Sequence, residues 1–296
     1  MVLERGTLFE PVLVKDLVSK VQGKSSLAVL SGQTPIPFNG QKEFVFTMDS
    51  EIDVVAESGK KTHGGISLAP RTIVPIKVEY GARVSDEFLY AAEAEQISIL
   101  QAFNDGFAKK VARGLDLMAL HGINPRSGTA STVIGTNHFD GLVTQTVTTT
   151  ANANTDIETA VGKVQEAGGE VSALAIAPKF RTALAGLQVG TAESARAMFP
   201  ELAWGGAPAT LNGVRVDVNK TVSDMSTDLA VIGDFVSSFK WGYAKEIPME
   251  VIRFGDPDNS GLDLKGYNQV YIRAELYLGW GILEPANFAR VIEAGE

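Results

Sequence analysis

SDEFLYAAEAEQISILQAFNDGFAKKVARGLDLMALH, residues 85–121, carries an apolar side chain at every third or fourth position along most of its length. That spacing predicts one helix, capped at its start by Ser85 and ended by Gly122 and Pro125. The side chains expected to form its buried stripe are Ile97, Leu100, Phe103, Phe107, Val111, Leu115 and Met118. The helix would be about 54 Å long, whereas a compact chain of this size would be roughly 50 Å across. We therefore expect a flat, elongated subunit.

Two extended segments precede this helix, at residues 43–57 and 66–80. Apolar and polar side chains alternate in both, which is typical of β-strands. The eight turn-like residues between them are Ser58, Gly59, Lys60, Lys61, Thr62, His63, Gly64 and Gly65. Arms of about fifteen residues would form a ribbon roughly 50 Å long, and a lone hairpin of two strands is not stable in water. The sequence predicts that the ribbon rests on another subunit, with its tip as an intersubunit contact.

The rest of the chain mixes helical and strand patterns. Residues 1–25 follow a helical period but are too few to form a core of their own, which predicts an arm lying on another surface. Thr155 to Glu158 reads as a capping box, and Pro178 suits the first turn of a later helix. The predicted strands of this part are residues 173–177, 214–218, 229–232, 249–254, 267–278 and 288–292. We therefore predict an α+β fold.

Composition excludes several classes of protein. The chain has 296 residues, of which 45% are apolar and 21% charged, with no cysteine and a net charge of −9. Without cysteine there is no disulfide scaffold, cysteine-bound zinc, iron–sulfur cluster or thiol catalysis. The negative charge argues against a broad basic face that grips DNA. No apolar run approaches the ~20 residues that span a bilayer, so no membrane partner is expected.

Motifs for catalysis and metal binding are weak. His63, His121 and His138 lack the spacing of metal ligands. Residues 256–261 resemble the first half of a calcium loop, but Tyr267 stands where a bidentate glutamate is needed, so we interpret them as an Asx-rich turn. We predict no catalytic, cofactor-binding or metal-binding residue and no cofactor. The remote alternative is an α/β hydrolase built on the mixed segment.

Five phrases stand in a characteristic order. They are GKKTHGG (59–65), SALAIAPKFRTALAGLQ (172–188), LNGVRVDV (211–218), LAVIGDF (229–235) and YNQVYIRAELYLGWGILEPANFARVI (267–292). Together, over nearly the whole chain, they resemble the major capsid protein of tailed double-stranded-DNA phages, which has the Hong Kong 97-type fold. The segments that this resemblance implies are an N-terminal arm (1–25), the first peripheral part (26–125) with an extended loop (41–80) and a spine helix (85–121), an axial domain (126–240), closing peripheral strands (241–278) and a C-terminal strand returning to the axial domain (279–296).

The resemblance also implies a structural function. Such proteins self-assemble as hexamers and pentamers into the icosahedral head that encloses phage DNA. The implied partners are other copies of the chain, the portal protein and DNA held without tight specific binding, with decoration proteins as further candidates. Because the arm starts close to Met1, a separate scaffolding protein or none is implied. The implied location is the virion, after assembly in the host cytoplasm. The alternative is an encapsulin-type nanocompartment shell, but the long ribbon favours the phage protein.

Overall fold

The computed structural model describes residues 25–90, 93–191 and 194–295. The helices in these ranges are α1 (Ser26–Leu30), α2 (Glu93–His121), α3 (Phe139–Leu142), α4 (Ala153–Glu166) and α5 (Pro178–Ala185). The strands are β1 (Gln41–Met48), β2 (Ile66–Ile73), β3 (Ile76–Ser85), β4 (Ile123–Asn124), β5 (Thr129–Ala130), β6 (Thr146–Thr148), β7 (Ala173–Ile176), β8 (Gln188–Val189), β9 (Arg196–Ala197), β10 (Thr210–Leu211), β11 (Val214–Val218), β12 (Asp228–Gly233), β13 (Phe239–Ile252), β14 (Gln269–Ile282) and β15 (Phe288–Ile292). Short 3₁₀ turns occur at Asp86–Tyr90, Pro200–Gly205, Lys220–Val222, Lys265–Tyr267 and Pro285–Asn287. The predicted helical arm at residues 1–25 lies, apart from its last residue, outside the described residues.

Helix α2 is shorter than the sequence pattern suggested. Its 29 residues extend for about 44 Å rather than about 54 Å. Ser85 does not begin the helix, because it is the last residue of β3, and its hydroxyl accepts a hydrogen bond from the N–H of Glu87 in the following 3₁₀ turn. At the other end Gly122 has a φ of +67° and donates its N–H to the carbonyl of Met118. The helix therefore ends where the glycine predicted.

The apolar stripe of α2 is buried along most, but not all, of the predicted positions. The buried members are Leu100, Phe107, Val111, Leu115 and Met118. Phe103 is half-buried and packs against the ring of Tyr80, with 5.8 Å between the ring centroids. Ile97 is 41% exposed, so its assignment to the core is wrong. At this end of the helix Gln96 and Leu100 are buried, whereas Ile97, which lies about 100° round the helix from Gln96 and about 60° from Leu100, is left uncovered.

A six-stranded mixed sheet forms the largest layer, with strand order β10-β11-β7-β12-β15-β6. Every residue of the central strands β7 and β12 is buried, which confirms the two predicted buried strands. The late strand β15 lies between β12 and β6, and α4 packs across β12 and β15. An aromatic cluster, with neighbouring centroids 4.9–6.1 Å apart, fills the space between this sheet and α3. Its members are Phe139, Phe235, Phe239 and Phe288.

The second sheet has three long strands in the order β13-β14-β3. Residues 66–80 do not form one arm, because β2 ends at Ile73 and β3, which pairs with β14, begins at Ile76. Pro75, between them, cannot donate a backbone hydrogen bond. Ile73 is 1% exposed and packs on β14, where a Cβ at Gly281 would lie 2.7 Å from its Cγ1. The ribbon of β1 and β2 thus has eight residues in each arm and is about 27 Å long, half the predicted length.

Local sequence signals in the mixed part of the chain agree only in part with the structure. Helix α5 begins at Pro178 as predicted. The capping box at Thr155 is wrong, because α4 begins earlier and its N-cap is Asn152, whose Oδ1 accepts from the N–H groups of Asn154 and Thr155. Asp156, the residue after Thr155, is buried. It accepts hydrogen bonds from the amide and hydroxyl of Thr150. None of the described helices is both long and apolar enough to cross a bilayer.

We expect Phe107→Ala to lower the free energy of unfolding by about 3–5 kcal/mol, because the side chain is 3% exposed and its removal leaves a cavity. The matched control is Ile97→Ala on the exposed side of the same helix, which should cost less than about 1 kcal/mol. Urea unfolding measures both changes. Equal losses in the two variants would contradict the burial pattern of α2.

Candidate assembly surfaces

The ribbon of β1 and β2 presents an apolar face to solvent. In the antiparallel register Phe44 lies opposite Pro70, and Met48 lies opposite Ile66. Alternation along each strand places these side chains and Leu68 on one face. Phe44, Met48, Ile66 and Leu68 are between 58% and 70% exposed, and we call these four residues the ribbon face. Apolar clusters of this kind on a protein surface mark sites of protein–protein contact.

The base of the ribbon is fixed to the body of the molecule. Glu43, on the opposite face from Phe44, forms an ion pair with Lys240 of β13 at 2.9 Å. Ile73 is buried at the same end. Phe38, just before β1, packs edge to face on Tyr277, with 4.9 Å between ring centroids. The ribbon therefore projects from an anchored base and holds its apolar face away from the core.

The predicted tip, Ser58 to Gly65, lies at the far end of the ribbon and is exposed throughout. Residues 49–65 form a loop rather than the continuation of two strands. Asp49 closes the loop, since its N–H donates to the carbonyl of Gly65 and its carboxylate accepts from the N–H of that glycine at 2.6 Å. Sequence reasoning missed Ile52 and Val54, which are 95% and 94% exposed. The sequence feature that indicates these two exposed residues is an apolar pair within a polar loop.

The buried carboxylate of Asp116 holds the start of α1 against α2. It lies in α2 and accepts hydrogen bonds from the hydroxyl of Ser25 and from the N–H groups of Ser26 and Leu27, at 3.0 and 3.2 Å. The hydroxyl of Thr221 donates a fourth hydrogen bond at 2.6 Å. Burial raises the pKa of Asp116, and these donors oppose the rise. One side chain thus joins α1, α2 and the 3₁₀ turn at Lys220–Val222.

The calcium-like loop at residues 256–261 binds the side chain of an arginine from β3. The guanidinium of Arg83 lies 2.7 Å from Oδ1 of Asp256 and 2.5 Å from Oδ1 of Asp258, and it also donates to Ser260 and to the carbonyl of Leu262. Its hydrogen bond holds the pKa of Asp258 far below the ordinary range. Asp256 also accepts from the backbone N–H groups of residues 260 and 261, which is the predicted Asx-rich turn. No sequence motif pointed to Arg83, which is more than 170 residues away.

A second group of potential metal ligands brings His121, Asp140 and Asp228 together, with one ligand atom of each within 4.8 Å of the others. Arg290 occupies this group, since its Nη1 lies 2.6 Å from Oδ1 of Asp140 and 3.2 Å from both carboxylate oxygens of Asp228. A guanidinium already balances the two carboxylates. The cluster therefore does not suit a divalent cation. His63 and His138, the other two histidines, are not part of this group.

The architecture is that of a known family. The model of the phage capsid family matches residues 6–291. The chain belongs to the phage capsid family. A solved structure from Mycobacterium phage Ogopogo is 32% identical, with a TM-score of 0.76 and 92% of each chain covered. One from Gordonia phage Cozz is 24% identical, with a TM-score of 0.76 over 92% of this chain and 87% of that one.

A more distant likeness agrees on the fold. The capsid of an empty GTA particle, computed with C5 symmetry, is 16% identical and has a TM-score of 0.62, covering 92% of this chain and 90% of that one. Among curated proteins, none matches the chain at a significant level. Phage capsid proteins form the shell of the virion, so this chain is a structural major capsid protein that assembles with copies of itself. The predicted α+β capsid fold and structural function are confirmed. The encapsulin alternative is not favoured, and the hydrolase alternative is not supported.

We expect Asp116→Ala to lower the free energy of unfolding by about 3 kcal/mol or more, because it leaves buried backbone N–H groups of α1 without an acceptor. The control is Asp224→Ala, which breaks the ion pair with Arg113, a half-buried residue of the same helix. That change should cost less than about 1 kcal/mol. Urea unfolding at neutral pH distinguishes the two variants, and a small loss in Asp116→Ala would refute the anchoring role.

Proposed function

We propose that copies of this capsid protein form hexamers and pentamers, which close into an icosahedral head around phage double-stranded DNA. The proposal rests on the ribbon face, whose four apolar side chains are more than half exposed to solvent. In a closed shell each subunit meets copies of itself, so one surface covered by a neighbour repeats throughout the assembly. The tip residues Ser58 to Gly65 belong to the same proposed contact.

The two sheets suggest how the subunit is divided. We assign the six-stranded sheet to an axial domain at residues 126–240 with the returning strand at 279–296, and the three-stranded sheet to a peripheral domain. The sequence-derived boundaries need adjustment, because positions 240 and 278 fall inside β13 and β14, whose hydrogen bonding continues past them. Helix α1 also packs against β7 and β11. We therefore assign residues 26–30 to the axial domain rather than to the first peripheral part.

Other partners follow from the same function. A head that takes up DNA needs a portal protein at one vertex. We propose that assembly occurs in the host cytoplasm, with a separate scaffolding protein or none. Decoration proteins would bind afterwards in phages that have them. The net charge of −9 favours DNA held without tight specific binding.

Negative-stain electron microscopy of the purified protein tests the central proposal. Shells or ring-shaped capsomers are expected, whereas a monodisperse monomer at high concentration under all salt and pH conditions would contradict it.

We expect Leu68→Glu to stop assembly, because it puts a charge into the ribbon face where a neighbouring subunit must exclude water. The matched control is Ser67→Glu, which adds the same charge at the next position on the opposite face of β2. Both variants should unfold at the same urea concentration as the wild type, since both side chains are exposed. Electron microscopy and sedimentation measure assembly. Normal shells from Leu68→Glu, or equal defects in both variants, would exclude the ribbon face as the contact.

We expect a shortened tip to stop assembly at capsomers without loss of folding. Replacing Ser50 to Gly64 by Asn-Gly leaves Asp49 and Gly65, which already share a backbone hydrogen bond, joined by a two-residue turn. The deletion removes no buried side chain, because this segment is exposed, and shortening a surface loop costs little stability. Sedimentation analysis of the variant gives the size of the product. Shells of normal size would show that the tip is not an intersubunit contact.

A further inference from the structure

The C-terminal residue of α2, His121, lies in a largely buried cluster of charged side chains from four elements. Its Nδ1 is 2.9 Å from Oδ2 of Asp140 in α3, and its Nε2 is 3.1 Å from the carbonyl oxygen of Thr221. Arg290 of β15 contacts the carboxylates of Asp140 and of Asp228, the first residue of β12. We call His121, Asp140, Asp228 and Arg290 the His121 cluster. It joins the end of the long helix to the six-stranded sheet.

The hydrogen bonds of the cluster require extra protons. Both oxygen atoms that face the His121 ring are acceptors, since one belongs to a carboxylate and the other to a backbone carbonyl. A neutral imidazole has a single N–H and cannot donate to both, whereas an imidazolium can. Asp140 and Asp228 lie close enough to share one nitrogen of Arg290. Two ionised carboxylates at that separation repel each other, so a proton on one of them is favourable.

The expected titration of these groups agrees with the geometry. Burial lowers the pKa of His121, but the hydrogen bond and charge of Asp140 outweigh it, so the pKa lies above its ordinary value of 6.5. Burial and the nearby Asp140 raise the pKa of Asp228 to about 7. Burial opposes ionisation of Asp140, yet His121, Asp228 and Arg290 together lower its pKa to about 2. The folded cluster therefore retains protons near neutral pH that the unfolded chain releases.

We propose that the His121 cluster is a proton-dependent lock, which holds the end of α2 against the six-stranded sheet and weakens as the pH rises through neutrality. After loss of the ring proton, one nitrogen of His121 presents a lone pair to an oxygen. After loss of the Asp228 proton, two carboxylates share one guanidinium nitrogen. Either change loosens contacts between α2, α3, β12 and β15. The end of α2 would then be less firmly fixed against the six-stranded sheet.

Other polar groups near the lock behave differently. His138, before α3, accepts a hydrogen bond at Nδ1 from the N–H of Gly141, so its ring has no need of a second proton, and burial lowers its pKa. Ser226 donates to Asp140 at 3.4 Å and does not titrate. Asp116 faces the same 3₁₀ turn from α2, and burial raises its pKa. Variants are therefore needed to separate the His121 cluster from Asp116.

The direction of the pH effect follows from the raised pKa values. A group whose pKa is higher in the folded state stabilises it fully below the unfolded value and loses that contribution as the pH rises through the folded value. For Asp228 this window extends from 3.8 to about 7, and for His121 it begins at 6.5. Between about pH 6 and about pH 8 the unfolding equilibrium constant should increase, by up to about tenfold per pH unit for each proton released. The lowered pKa of His138 acts in the opposite direction.

Urea unfolding of the full chain across this pH range tests the proposal, with tryptophan fluorescence as the signal because Trp241 and Trp280 are buried. Asp228→Asn and His121→Asn remove the titrating groups and should flatten the pH dependence. His138→Asn preserves the helix cap and, like exposed His63→Asn, should retain the wild-type fall in stability. The proposal is overturned if the wild type shows no fall, if both cluster variants retain it, or if a control variant removes it.

Hydrogen exchange of the wild-type chain gives a readout that needs no variant. After correction for the intrinsic exchange rate, the amides of residues 118–122 and 139–142 should open more often at about pH 8 than at about pH 6. Amides in the buried central strand β7 report global unfolding, so a local effect requires a larger increase at the two cluster segments than at β7. Equal corrected rates at the two pH values would exclude a proton-dependent lock, even if every cluster variant failed to fold.

Discussion

The last two turns of α2 are held against the six-stranded sheet by buried polar contacts, and the placement of that sheet on the helix depends on them. Asp116 accepts hydrogen bonds from α1 and from Thr221, and His121 meets Asp140 and the carbonyl of Thr221. A buried carboxylate or imidazole is costly when its hydrogen bonds are not made. The helix must therefore cross the sheet at the angle that satisfies both groups, and α1 and the late strand β15 meet at this end of the helix.

The ribbon, which precedes the N-terminal end of α2 in the chain, is poorly suited to be stable as an isolated domain. The ribbon projects from an anchored base with Phe44 and Leu68 in solvent, and the loop beyond it exposes Ile52. These apolar side chains stabilise the folded protein only when another surface covers them. Covering them by a second copy links the stability of the subunit to assembly. The features that weaken the separate chain are therefore those that suit one tile of a capsid shell.

Arginines lie within both groups of acidic residues that resemble cation sites. Arg83 contacts Asp256 and Asp258 in the calcium-like loop, and Arg290 contacts Asp140 and Asp228 beside His121. A guanidinium offers several donors in a rigid plane and can meet two carboxylates at once. In both places it joins segments that are distant along the chain, so the acids serve as structural contacts between elements rather than as metal ligands.

The sequence by itself determined the elements whose formation depends on neighbouring residues: the end of α2 at Gly122, the buried strands β7 and β12, and the start of α5 at Pro178. Periodicity shows which face of an element is apolar, and special backbone residues show where it stops. Only the tertiary structure decided that Ile73 packs on β14, so that β2 ends there and the ribbon is half as long as predicted. It also decided that Ile97 remains exposed. It alone brought His121 to Arg290. These outcomes depend on residues far apart in the chain, because a local pattern cannot tell what will cover a given face.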